Sequence, residues 1–86
     1  MYNEIINSIF DGGVHNILIT MSYKEKPIGE FWTSEDECTY FDGNLHVSVG
    51  EDGDLYIPMN ETISIIKSAN NEYIVTVDDF EIVLNI

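Results

Sequence analysis

Sixteen Asp and Glu residues stand against three Lys and no Arg in this chain of 86 residues, so the formal net charge is −13 although 44% of the residues are hydrophobic. This length fits one domain over residues 1–86, and the apolar content is too high for a disordered acidic chain. Because attraction to phosphate dominates affinity for nucleic acid, a charge of this sign excludes direct nucleic-acid binding.

The sequence also indicates the compartment. It has no apolar run long enough to span a membrane, and its first residues lack the basic and apolar regions of a signal peptide. The single Cys38 cannot form an internal disulfide, as is usual in a reducing environment. We therefore expect a cytoplasmic protein that makes no membrane contact.

The first predicted element is an amphipathic helix that packs on one face of a sheet. Apolar residues recur at helical spacing at Tyr2, Ile5, Ile6, Ile9 and Phe10. We expect this helix to end at Asp11-Gly12-Gly13, where the two glycines would supply the positive φ of a helix C-terminus.

Alternating segments then predict two paired strands. The first covers residues 14–23, and its better-buried face would carry Ile17, Ile19, Met21 and Tyr23. After a turn at residues 24–27, residues 28–33 would form its hairpin partner. Ile28, Glu30 and Trp32 would share one face of that strand, with Trp32 as a core or rim residue.

Further hairpins are predicted in the second half of the chain. Strands at residues 45–49 and 55–57 flank Asp52-Gly53, which is a type I′ turn signal. At the C-terminus, residues 73–77 and 80–86 flank Asp78-Asp79. A two-residue loop there would place Val75 opposite Ile82 and make one face almost wholly apolar.

Residues 59–70 suit either a helix or a strand, and we predict a strand because most of their apolar residues are β-branched. With Asn70-Asn71 as the turn, Ile66 would face Val75. The predicted fold is therefore α+β, with the N-terminal helix packed on a mainly antiparallel sheet of about five or six strands.

The acids fall mainly into three groups. Spread evenly, the net charges would lie about 20 Å apart, beyond the Debye length of about 8 Å, whereas clustered charges create a field that a basic partner can sense. The first group is Glu30, Glu35, Asp36, Glu37 and Asp42, the second is Glu51, Asp52 and Asp54, and the third is Asp78, Asp79 and Glu81.

We predict that the first two groups bind a basic protein partner, with nearby aromatic residues as apolar anchors. The predicted contact residues are Glu30, Trp32, Glu35, Asp36, Glu37, Tyr40, Asp42, Glu51, Asp52 and Asp54, with Phe41 as a further candidate anchor.

Motifs for catalysis and for metal binding are weak. Asp42-Gly43-Asn44 and Asp52-Gly53-Asp54 do not continue into an EF-hand loop and are better explained as hairpin turns. His15 and His46 lack a second ligand at helical spacing. Cys38 and His46 could form a nucleophile and base, but neighbouring carboxylates would raise the thiol pKa. We therefore predict no enzyme activity, no cofactor and no metal site.

In size, acidity, absence of Arg and α+β character, the chain resembles the small phage-encoded inhibitors of bacterial defence, the anti-CRISPR and anti-restriction DNA mimics. The resemblance covers the whole chain but includes no diagnostic motif, so it transfers no residue roles. It implies an inhibitor, located in the host cytoplasm if it is phage-encoded, that blocks the DNA-binding groove of a target such as a CRISPR effector nuclease.

Other functions remain open at this point. An acidic immunity protein for a toxin, or a subunit of a larger assembly, would also bind a basic protein partner, and such a partner need not bind DNA. An acidic structural or housekeeping domain is the third possibility.

Overall fold

The computed structural model describes residues 1–12, 16–50 and 53–86. In these ranges one α-helix precedes eight strands, which form a five-stranded and a three-stranded antiparallel sheet. The predicted α+β class with an N-terminal helix is confirmed. The strands are more numerous than predicted and divide between two sheets, because the middle of the chain pairs with itself and leaves the larger sheet to the two ends.

Helix α1 spans Tyr2–Phe10 and buries the predicted apolar stripe. Ile5 and Ile9 are fully buried, and the other three apolar positions of the stripe are partly buried. Asn3 and Glu4, which lie outside the stripe, are exposed. The 3.6-residue period of the sequence therefore predicts both the helix and its buried face.

The end of α1 differs from the prediction, because Gly12 does not have a positive φ. The N–H groups of Asp11 and Gly12 both donate to the Asn7 carbonyl, at 2.9 and 3.3 Å. A Cβ atom on Gly12 would lie 2.6 Å from the Ser8 carbonyl oxygen, so a close backbone approach is what requires glycine here. The other glycine of this prediction, Gly13, lies outside the described residues.

The strands follow in chain order as β1 Ile17–Tyr23, β2 Lys26–Thr33, β3 Cys38–Phe41, β4 Asn44–Ser48, β5 Asp54–Pro58, β6 Ser64–Ala69, β7 Glu72–Val77 and β8 Phe80–Asn85. The larger sheet has the order β2-β1-β8-β7-β6, and the smaller sheet has the order β3-β4-β5. Strand β1 therefore pairs with the last strand of the chain, and the segment between β2 and β6 contributes the second sheet.

The C-terminal hairpin has the predicted register. Val75 lies opposite Ile82 and Tyr73 lies opposite Leu84, and all four side chains are buried. The loop residue Asp78 has φ of 54°, a left-handed conformation that Asp tolerates in tight turns.

Strand β6 pairs with β7 as predicted, but the register is shifted by one residue. Ile65, not Ile66, lies opposite Val75, because a bulge between Lys67 and Ala69 leaves Ser68 without a partner. The Ser68 hydroxyl donates to the Glu72 carboxylate at 2.7 Å and so stabilises the bulge. Ile65 is consequently partly buried and Ile66 points to the outer face.

The smaller sheet contains one confirmed turn and one predicted turn that falls partly outside the described residues. Asp42 and Gly43 have φ of 53° and 76° between β3 and β4, as a two-residue type I′ turn requires. In the next hairpin Ser48 pairs with Asp54, and the predicted Asp52-Gly53 turn lies between them in the sequence. Asp52 itself lies outside the described residues.

The hydrophobic core contains residues of α1 and of both sheets. The larger sheet supplies buried residues from β1, β7 and β8, and the smaller sheet supplies buried residues from each of its strands. The core residues are Ile5, Ile9, Ile17, Ile19, Cys38, Leu45, Val47, Ile57, Met59, Tyr73, Val75, Ile82 and Leu84.

Strand β2 is an edge strand whose side chains depart from the prediction. Trp32 is 66% exposed, because it alternates with the partly buried Phe31 and Thr33 and so points to the outer face of the larger sheet. A bulge opposite Met21 and Ser22 leaves Ile28 unpaired. Ile28 lines a groove together with Met21 and does not share the face of Trp32.

Candidate protein-binding surface

The densest predicted acidic stretch folds as a short 3-10 helix, Glu35–Glu37, which we call the acidic turn. It connects the end of β2 to the start of β3, and its last N–H donates to the Ser34 carbonyl at 3.0 Å. All three side chains are exposed or partly exposed, whereas the next residue, Cys38, is buried in the core. The turn is therefore fixed at its C-terminal end while its carboxylates remain accessible.

The other predicted acidic contacts are only partly brought together. Asp54 begins β5 at the same end of the smaller sheet as the acidic turn. Because β5 is two strand spacings from β3, Asp54 lies about 10 Å from the acidic turn. Asp42 lies at the opposite end of that sheet, in the β3–β4 turn. Glu30 lies within β2 on the outer face, opposite Thr20. Glu51 and Asp52 lie outside the described residues.

The third acidic group lies at the other end of the larger sheet. The acidic turn comes after Thr33, which lies opposite the first residue of β1. Asp78 and Asp79 come before Phe80, which lies opposite the last residue of β1. The six steps along β1 correspond to about 20 Å, more than two Debye lengths at physiological salt. The three acidic groups therefore do not form one continuous surface.

Two ion pairs are present among the described residues. His46 Nε2 lies 3.1 Å from Asp54 Oδ1, and Lys67 Nζ lies 3.3 Å from Glu4 Oε2. The carboxylates of the acidic turn take part in neither pair. Their charge is therefore available to a partner, whereas that of Asp54 is partly offset when His46 is protonated.

The predicted aromatic anchors differ in how accessible their side chains are to a partner. Trp32 is exposed near the acidic turn, but the Tyr40 hydroxyl donates to the Met59 carbonyl at 2.7 Å, and burial raises the Tyr40 pKa. Phe41, beside Asp42, is 79% exposed, the largest value among the large hydrophobic side chains in the described ranges. Trp32 and Phe41 are therefore better candidate anchors than Tyr40.

Cys38 and His46 do not form a nucleophile and base. Cys38 is buried on the inner side of the smaller sheet, whereas His46 pairs with Thr39 on the outer side. Burial raises the pKa of the Cys38 thiol, a hydrogen bond with Thr33 opposes this, and the charges of Glu37 and Glu35 add to it. The thiol is thus mostly protonated and shielded.

A second group of polar side chains lies across the outer face of the smaller sheet. Thr39 Oγ1 is 3.3 Å from His46 Nδ1, and Asp54 is on the other imidazole nitrogen. The ring of Tyr56 stacks on His46 with centroids 4.6 Å apart. A hydroxyl, an imidazole and a carboxylate in this order also form the catalytic triad of hydrolases. However, Thr39, His46 and Asp54 line neither of the two cavities described below. They are therefore better explained as cross-strand neighbours.

Within residues 1–12, 16–50 and 53–86, no three His, Cys, Asp or Glu side chains are grouped so that they could hold a metal ion. His15, which the sequence does not predict as a metal ligand, lies outside these ranges. The one α-helix among the described residues, α1, has nine residues and is too short to cross a membrane.

Comparison with protein-family models, with curated proteins and with solved structures gives no significant match. A function for this chain is therefore inferred from its charge, the exposure of its side chains and its topology.

Sequence patterns did not indicate an apolar groove of about 380 Å³ at one edge of the two sheets. Its walls come from β1, β2 and β8 on one side and from β5 on the other, so residues distant in sequence meet there. Its principal lining residues are Met21, Ile28, Leu55, Tyr56, Phe80 and Ile82. Alternation within each strand could identify some of these residues as apolar and inward-facing, but not their proximity.

Sequence patterns also did not indicate the polar contact between α1 and the larger sheet. Glu4 Oε2 accepts a hydrogen bond from the Tyr73 hydroxyl at 2.8 Å and is paired with Lys67. The bond from Tyr73, and then that from Lys67, holds the Glu4 pKa below its usual value. One of the three lysines is thus used to attach the helix.

Proposed function

We propose that this protein is an acidic inhibitor that occupies the basic nucleic-acid-binding groove of another protein, such as a CRISPR effector nuclease, in place of DNA. The acidic turn is the observation that carries the proposal. Its three adjacent carboxylates lie outside both ion pairs, and the turn is fixed between two strands. Adjacent negative charges on a firm backbone resemble the regular charge of a nucleic-acid strand.

Charge would mainly determine how fast the partner is found. A net charge of −13 attracts a basic groove over long range, and such steering raises association rates by roughly 10- to 1000-fold at low salt. The exposed ring of Trp32, three residues before the acidic turn, would provide the apolar contact that slows dissociation.

The proposal is tested by capture followed by competition. Immobilised protein is incubated with a bacterial lysate, and the bound proteins are identified by mass spectrometry. We expect a nucleic-acid-binding enzyme, and its affinity for DNA should fall in proportion to added inhibitor. A partner that binds DNA and this protein together, in a ternary complex with unchanged DNA affinity, would contradict the proposal.

The same experiment addresses the second candidate function, an immunity or assembly protein with a basic partner unrelated to DNA. The apolar groove favours this candidate, because such a feature suits a protein partner and has no role in imitating phosphate. A small toxin or a subunit without DNA affinity in the bound fraction would support it.

A further inference from the structure

The apolar groove is open to solvent although its walls are apolar. Ile82 at its base is buried, whereas Ile28, Tyr56 and Phe80 at its edges are exposed. Phe80 is held by Tyr23, whose ring centroid is 4.8 Å away, and Tyr56 is held by the stack on His46. Two of the three edge side chains are therefore packed against a neighbouring ring, and filling the groove would remove apolar surface from water.

Acidic residues lie beside one end of this groove, in the turns and on the outer face of the larger sheet. A second cavity of about 540 Å³ shares Phe80 with the groove, and Glu25, Asp78, Asp79 and Glu81 line it together with a single lysine, Lys24. Lys26 begins β2 at the same end of the sheet. Four carboxylates and two ammonium groups thus lie at this end of the larger sheet, and the excess charge beside the groove is negative.

This charge decides between possible occupants. A second copy of the chain would bring another molecule with a net charge of −13 against the same acidic end, and close approach within a Debye length of about 8 Å would be repulsive. A segment that places Lys or Arg on both sides of an apolar side chain matches both features, because its charges meet the acids while its apolar group enters the groove.

We infer that the apolar groove is a docking surface for an apolar side chain that a partner protein presents between lysine or arginine residues. The part of the groove that the larger sheet forms lies at the end opposite the acidic turn, whereas Leu55 directly follows Asp54, about 10 Å from that turn. The lining of the groove is apolar and has no role in imitating phosphate. The inference therefore does not depend on the proposed DNA mimicry, and either can fail while the other holds.

The test uses synthetic peptides as probes. A peptide with a Leu-Trp-Leu centre between pairs of lysines is compared with one that has the same centre between glutamates and with one that has serines between lysines. Titration into isotopically labelled protein at physiological salt is followed by NMR. We expect only the first peptide to bind, with the largest shift changes at Ile28, Tyr56 and Phe80.

A matched pair of variants locates the site. Ile28→Ser removes an edge of the groove, and Ile66→Ser is its control, because both residues lie on edge strands of the larger sheet and are 54% and 57% exposed. Ile28→Ser should weaken binding of the first peptide about tenfold, as expected for losing roughly two buried methylene equivalents. Ile66→Ser should leave binding unchanged.

Several outcomes would overturn the inference. If the serine peptide binds as well as the first peptide, charge alone accounts for binding. If the glutamate peptide binds as well as the first peptide, the occupant need not be basic. Equal weakening by both substitutions, or no binding at millimolar peptide, would remove the site. A dimer in sedimentation, with the groove residues protected in it, would make a second copy the occupant.

Discussion

The one-residue register shift of β6 gives a sharp test of the fold. Ile65 and Ile66 are adjacent and chemically identical, so substituting each with alanine removes the same atoms from the same strand. In the structure Ile65 lies opposite Val75 on the buried side, and Ile66 lies opposite Ile74 on the outer side. The register expected from a regular hairpin would exchange these positions.

The size of the difference follows from burial. An isoleucine truncated in a fully packed core costs about 2–5 kcal/mol, so the partly buried Ile65 should cost about 1–2.5 kcal/mol. Ile66 is 57% exposed and should cost about 0.5 kcal/mol or less from packing. Both variants lose the same β-branched side chain, so the strand-propensity contribution largely cancels in the comparison.

Thermal and urea unfolding of both variants measure this difference. For a domain of this length, 1 kcal/mol corresponds to about 4–8 °C in Tm, so Ile65→Ala should melt roughly 2–20 °C below Ile66→Ala. The slope of the urea transition should not change, because the surface exposed on unfolding is nearly the same. A lower Tm for Ile66→Ala than for Ile65→Ala would refute the bulge at Ser68.

Three further predictions concern charge and burial. Because the folded pKa of Glu4 is depressed, Glu4 contributes stability that is complete above the ordinary pKa of 4.5 and is lost as pH falls through the folded pKa. Glu4→Gln should therefore reduce the loss of Tm between about pH 7 and about pH 3. If the loss of Tm is the same in the variant, the contact with Tyr73 is contradicted. Added salt should raise Tm near neutral pH, because it screens a net charge of −13. Mild acidification toward about pH 5 should also raise Tm, because it reduces the negative charge. A Tm that falls with added salt would count against repulsion between the carboxylates. Cys38 should react with iodoacetamide at neutral pH only slowly until urea unfolds the protein, since its thiol is buried and its pKa is raised; equal rates in both states would disprove this burial.

The sequence predicted those elements whose hydrophobic pattern is compatible with only one strand register. The C-terminal hairpin alternates cleanly around a two-residue loop, so its register follows from the pattern. Strand β6 contains consecutive isoleucines, and the polar bond from Ser68 to Glu72 that holds the bulge leaves no signature in hydrophobic periodicity. The second sheet was missed because pairing within residues 38–58 depends on topology, which alternation does not specify.

The candidate surface shows the same division. High acid density predicted the accessible acidic turn, because adjacent carboxylates without cationic neighbours are rarely buried. Sequence order could not show that Asp78 and Asp79 lie at the other end of the sheet, nor that Trp32 points outward on an edge strand. The apolar groove combines Met21, Leu55 and Phe80, whose proximity arises only when the two sheets pack.

The central claim is that the acidic turn makes the principal contact with a basic partner. The most direct test is the association rate of the captured partner with two charge-matched variants, measured over a range of salt concentrations. One reverses Glu35, Asp36 and Glu37 to lysine, and the other reverses Asp78, Asp79 and Glu81 to lysine. Each adds six units to the net charge of −13 and gives −7, so a difference between them reports position and not total charge.

We predict that reversal of the acidic turn slows association at least tenfold and flattens its salt dependence, because the steering charges at the contact are lost. Reversal at the other end should have a clearly smaller effect on the rate. The claim is contradicted if the second variant alone loses binding, or if both variants slow association equally.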